Sequence, residues 1–390
     1  MASRLAKRVL QMRRLVSTTL IATLFLGFAS QPAFAAVKAG SKCTIKGEKK
    51  TSGTKTYTCT KTKGKLVWDK GVKTKSKYSI PTEELTFANI LKNYKDVSYW
   101  AWKKSSEKIK KALPSDIKVT ILKGPNTQEL KHDPMIAINL TSRLFADYKQ
   151  VDEFVLAYYS YGDIDWAQQQ VDKYIGKFGG YDTSDQAMKM CQTEFNCTGA
   201  SVMFNQQTKL TLAVMTSPTE LNFIRDYESG QREAHEYSHT IQDELIIGKI
   251  PEGRQPPRWL TEGSAEYIQI ASMYFDNFNN YLTSRKKIIN DLHYPSNIDE
   301  SWMEEFLNPT DIGLSWDNWD KYDGWRVYDV GFMVSEIMAA VGGSNSVMEI
   351  FKLMGEGLTY QEAFSKTLGI SWQEAMGIIK KVIAKELSQG

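Results

Sequence analysis

Apolar and polar positions are distributed very unevenly along the chain. A mainly apolar run over residues 15–29 follows Arg4, Lys7, Arg8, Arg13 and Arg14 and precedes Ala33-Phe34-Ala35. A basic start, a short apolar stretch and small residues two apart form the pattern of a signal peptide, with cleavage expected after Ala35. A retained anchor is the alternative, although the run is shorter than the ~20 residues a spanning helix needs. No later segment is apolar enough to span, so no integral membrane segment is expected once the signal is removed. Residues 56–60 and 65–68 alternate apolar and polar side chains, which predicts short strands in a small β module over 36–69. A lysine-rich linker over 70–82 follows, with Pro81 at the entry to the main domain.

Beyond it, the periods mix. Residues 88–113 and 165–178 repeat at helical spacing, while 117–122 and 153–159 read as strands. Residues 200–204 and 209–215 flank a turn-like Asn205-Gln206-Gln207-Thr208, which predicts a hairpin. After Ser229 nearly every apolar position recurs at helical spacing. The expected fold class is therefore α+β: a mixed α/β subdomain over 83–228, then a helical subdomain over 229–390.

Charge sharpens this division. Residues 37–80 carry thirteen lysines against Glu48 and Asp69, whereas beyond residue 80 there are 31 basic and 43 acidic residues, a net of −12. The overall +4 thus hides an acidic body behind a basic front. An acidic body argues against nucleic acid as a partner. The basic module has two readings, a patch that holds anionic cell-wall polymers or simply a solvated surface.

Four cysteines fall into local pairs, Cys43 with Cys59 and Cys191 with Cys197. In an exported chain two disulfides are expected, and neither spacing is that of a cysteine metal site. A module this small needs such a staple.

The chemistry is concentrated in His235-Glu236-Tyr237-Ser238-His239, within a Pro- and Gly-free stretch over 231–247. Residues four apart share one helix face, so both imidazoles can reach one metal ion. Neutral imidazole suits zinc, and a catalytic zinc site keeps one position for water. Glu236, beside that position, could take a proton as water attacks a carbonyl. A second segment, Trp259-Leu260-Thr261-Glu262-Gly263-Ser264-Ala265-Glu266, begins twenty residues after His239 and offers a third ligand. Glu262 and Glu266 are again four apart, so one can bind the metal while the other orients a ligand histidine. Asp243, four after His239, is a further candidate for that orienting role. The plain alternative for all three is a solvated helix carboxylate.

The two segments together resemble the gluzincin metallopeptidases, which pair H-E-x-x-H with a downstream W-L-x-E-G-x-A helix. The resemblance covers roughly residues 200–387, extending through Tyr328-Asp329-Val330-Gly331-Phe332 to the C-terminal helices, as in peptidase MA-like proteins. It implies a thermolysin-like zincin core, one Zn2+ on His235, His239 and Glu262, Glu236 as general base, and Glu266 supporting a ligand. It also implies a Tyr or His that stabilises the oxyanion, for which Tyr328 is the first candidate, ahead of Tyr322 and His293. No G-A-M-E-N-like segment is present, so an endopeptidase acting on peptide or protein substrates is expected rather than an aminopeptidase. Two rival readings share the scaffold: a non-catalytic envelope-binding protein, and a zinc hydrolase of non-peptide amides.

Overall fold

A computed structural model describes residues 37–388, apart from 53–54, 74–77, 114, 181, 218–228, 252–253, 292–297 and 308–323. The signal peptide expected over 1–35 lies outside the described residues. The chain divides into two compact units, Met1–Ser76 and Lys77–Gly390. The described residues contain no helix long and apolar enough to cross a membrane.

The first unit is a four-stranded antiparallel sheet. It comprises β1 (Lys49–Ser52), β2 (Lys55–Thr62), β3 (Lys65–Trp68) and β4 (Val72–Lys73). Its staple is the expected Cys43–Cys59 disulfide, with Cys59 opposite Trp68 in the ladder. Both side chains are buried, the covered apolar centre of a thin sheet. β4 pairs with β2 inside the stretch read as linker. Asp69 makes that return possible, because its carboxylate accepts from the N–H groups of Thr58 and Gly71.

The second unit opens with α1 (Val97–Lys111), shorter than the helix expected over 88–113. Its missing turns are claimed by Asn89, whose side chain accepts from the Thr86 N–H and donates to the Glu84 carbonyl, competing with helix formation there. β5 (Lys118–Lys123) is followed by α2 (Pro134–Leu144), where the sequence pattern marks no element. The signal there is the Asp133-Pro134 pair: Asp133 caps the Met135 N–H, and Pro134 occupies the first turn. β6 (Glu153–Tyr159) falls where expected; α3 (Ile164–Tyr174) stops early, near Gly176 at φ +50°. α4 (Gln186–Met190) leads to the Cys191–Cys197 disulfide and the predicted hairpin, β7 (Ala200–Phe204) with β8 (Leu210–Thr216).

The sheet order is β5-β6-β8-β7, with β5, β6 and β8 parallel and β7 antiparallel at the edge. β6 has no solvent face. Phe154, Leu156 and Tyr158 enter the main core; Val155, Ala157 and Tyr159 enter a second core under α3 and α4. That double burial explains why β6 reads as a continuous apolar run and not as an alternation.

The rest is helical: α5 (Gln231–Ile246), α6 (Arg258–Met273), α7 (Phe278–Asp291), α8 (Glu300–Leu307), α9 (Arg326–Gly342), α10 (Ser346–Gly355), α11 (Tyr360–Leu368) and α12 (Trp372–Leu387). The main core runs from Leu85 through Phe154 to Ile383, so Ser229 marks a change of secondary structure, not a break in packing. The expected α+β class is what forms.

Candidate metal centre

α5 begins at Gly230, whose φ of +81° turns the chain into the helix, and ends before Gly248 at φ +71°. Between them, His235 and His239 stand one turn apart and their rings meet edge to face at 4.8 Å. The helix is fixed from below by Tyr237, fully buried and hydrogen-bonded to Gln150, and by Glu233 in its first turn. Burial works against the Glu233 charge, yet His132 at 2.7 Å and the Tyr158 hydroxyl at 2.8 Å hold its pKa below the ordinary range. His132 therefore serves the underside of the helix rather than the metal group. Arg232 ties the helix to the sheet, donating to the carbonyls of Thr216 and Gly199 at the ends of the hairpin.

α6 supplies the third group. Trp259 is fully buried, stacked on Trp372 at 5.6 Å and met edge-on by Tyr360. Trp259 and Leu260 are core residues, and the helical turn then brings Glu262 out of the core to a partly exposed position beside the two histidines. Its Oε2 lies 3.6 Å from His235 Nε2 and 3.5 Å from His239 Nε2. The ligand atoms of His235, His239 and Glu262 all fall within 4.8 Å of one another. The two carboxylate–imidazole distances are close to the separation of about 3.3–3.4 Å between donors of a tetrahedral ion with ~2.0–2.1 Å bonds, so the group could hold a metal ion.

Burial opposes a charged imidazole on His235, but Glu262 and Glu266 outweigh it and raise its pKa to about 10. His239 is raised in the same way by Glu262 against burial. For Glu262, burial is overcome by the two histidines, which hold its carboxyl far below the usual range. A site that gathers positive charge this strongly around one carboxylate can exchange its protons for a cation.

The supporting residues divide unequally. Glu266 Oε1 lies 3.2 Å from His235 Nδ1, in the orienting position expected of it, and its other oxygen accepts from Gln269. Asp243 is not the partner of His239. That place is taken by Gln242, whose Oε1 lies 2.7 Å from His239 Nδ1. Desolvation raises the Asp243 carboxyl to about 7, with His239 pulling the other way. Glu236 is buried and hydrogen-bonds to no described residue, and its charge is felt by His235 and Tyr328.

Tyr328 reaches the centre from α9. Its ring stacks on His235 at 6.3 Å, tilted by 28°. Burial and the nearby Glu262 push its pKa above the tyrosine range, so it remains a neutral hydrogen-bond donor. Trp325, 63% exposed, lies 5.7 Å beyond it. Tyr322 and His293 lie outside the described residues. Arg258, one turn before Glu262, approaches its Oε1 at 3.9 Å; sequence reasoning missed it, although the i,i+4 spacing was visible.

Among known proteins, no family model matches this chain and no curated protein matches it.

Proposed function

We propose that the protein is a secreted zinc-dependent metallopeptidase of the gluzincin kind, acting as an endopeptidase. The observation that carries this reading is the convergence of His235, His239 and Glu262, with ligand atoms within 4.8 Å of one another, beside an unengaged, buried Glu236. Zinc suits two imidazoles and a carboxylate, and when bound it would supply the Lewis acidity that polarises a carbonyl and acidifies water. The signal-peptide pattern and the two disulfides support export.

The chain's own residues account for the remaining steps. β7 lies at the sheet edge and α5 packs against it. Gly199 and Asn205 bond toward β8, so the alternation turns the main-chain groups of Ala200, Val202 and Phe204 to the open edge. An extended peptide could pair there, which would hold its backbone still. The Glu236 carboxylate would take a proton from the attacking water and return it to the departing amine. The new C–O bond replaces the C–N bond, leaving a carboxylate and an amine as two peptides. Tyr328, kept protonated by burial, is placed to donate a hydrogen bond to the oxyanion that develops.

The test compares the full mature chain with Glu236→Gln for zinc content and for cleavage of unfolded protein substrates. About one zinc per chain in both, with cleavage only by the unmutated protein, supports the peptidase. Zinc in both without cleavage favours the non-catalytic scaffold, and a chain that takes up no zinc overturns the reading.

A further inference from the structure

Resting on that reading of the centre, we propose that Gln242 is a positioning residue: it fixes the tautomer of His239 and clamps that ligand to the segment carrying Glu262, without adding charge. Gln242 is 1% exposed and stands one turn after His239 on α5. Its Oε1 lies 2.7 Å from His239 Nδ1, while its Nε2 donates to the Thr261 carbonyl at 3.1 Å and to Ser264 Oγ at 2.9 Å.

The direction of the amide is forced. A carbonyl can only accept, so the NH2 end must face Thr261. Ser264 Oγ spends its own proton on the same carbonyl at 3.1 Å, and so accepts from Gln242. Oε1 is thereby turned to His239, whose Nδ1 must then carry a proton. The lone pair is left on Nε2, the atom 3.5 Å from Glu262 Oε2. Because Thr261 immediately precedes Glu262, the same side chain also holds α5 and α6 in the spacing the three ligands need.

The choice of an amide has an electrostatic meaning. His235 already leans on an anion, Glu266, at 3.2 Å, and Glu262 and Glu236 place two more carboxylates near the histidines. A carboxylate behind His239 would make it a stronger donor and weaken the Lewis acidity of the ion. A neutral amide orders the ring while leaving that acidity intact.

Two variants of the full chain separate these effects. Gln242→Met keeps the length and removes every hydrogen bond; Gln242→Glu keeps the acceptor facing His239 and adds a charge. Zinc affinity is read by chelator competition, the His239 tautomer by imidazole nitrogen resonances of the zinc-loaded chain, and kcat and KM separately. Gln242→Met is expected to bind zinc roughly 10–100-fold more weakly and to lose the fixed Nδ1–H signature of His239. Gln242→Glu is expected to keep the His239 tautomer but, having no donor for the Thr261 carbonyl, to bind zinc more weakly than the unmutated chain and to turn over more slowly at unchanged KM. Unchanged affinity and an unchanged His239 signature in Gln242→Met overturn the proposal. Should that variant not fold, Gln242→Glu decides: a kept His239 tautomer with weakened zinc affinity and a lower kcat supports the role, and unaltered affinity and kcat overturn it. A chain that binds zinc without cleaving peptides defeats the peptidase reading, while affinity and tautomer still decide Gln242.

Discussion

Gly263 of α6 and Gly331 of α9 meet backbone against backbone: a Cβ on Gly263 would lie 2.1 Å from the Gly331 carbonyl carbon, and one on Gly331 would lie 2.2 Å from the Trp259 carbonyl oxygen. Neither contact can be relieved by turning a side chain. This crossing brings the Glu262 helix and the Tyr328 helix close enough for Tyr328 to stack on His235. Alanine at either position should cost on the order of 3 kcal/mol in chemical denaturation, since the helices must separate. It should also weaken zinc binding. Full stability in both alanine variants would show that the crossing can relax.

Tyr328→Phe preserves the ring that stacks on His235 and removes only the hydroxyl. Zinc affinity should therefore be unchanged, while kcat falls about 10²-fold, the loss associated with deleting one oxyanion donor. An unaltered kcat would assign Tyr328 to packing alone.

A buried charge cluster that shares no residue with the metal group sets a pH dependence. Arg285 lies between Glu336 at 2.8 Å and Glu386 at 2.5 Å, and Tyr281 donates to Glu336. Burial raises the Glu386 carboxyl from its ordinary 4.5 to about 7; Arg285 pulls it down and Glu336 pushes it up. The folded chain therefore holds this proton more tightly than the unfolded chain. Its contribution to stability is complete below pH 4.5 and is lost as pH rises to about 7. Melting the chain and Glu386→Gln at pH 5 and pH 8 should show a smaller decline in the variant. Parallel declines would exclude Glu386 as the cause.

The Cys191–Cys197 bridge closes a short loop directly before the edge strand. Replacing both cysteines by serine should lower stability by about 2 kcal/mol, from the chain entropy such a loop restrains. Gly199 should stay in place, because its carbonyl also receives the Thr216 N–H, the Thr216 hydroxyl and Arg232. Zinc binding should then be unaffected, which metal titration of the double variant would check.

His235, Glu236 and His239 were legible because their relation is local: one helix period places both rings on one face. Glu262 was legible only through a second local pattern, and Glu266 followed from it. Gln242 was not, because two of its three partners, Thr261 and Ser264, belong to another helix, and an amide carries no signal until its acceptors are known. Asp243 had the more suggestive residue type but not the geometry. β6 was readable from its length and apolar run, whereas α2 was passed over because its evidence was a cap at Asp133 and not a periodicity.

β6 is a party wall. Each of its residues from Phe154 to Tyr159 belongs to one core or the other, and none faces water. Slipping it by one position would hand every side chain to the wrong room. Such a segment has no neutral side on which to accumulate change, so residues with an exposed face can vary more freely than this strand.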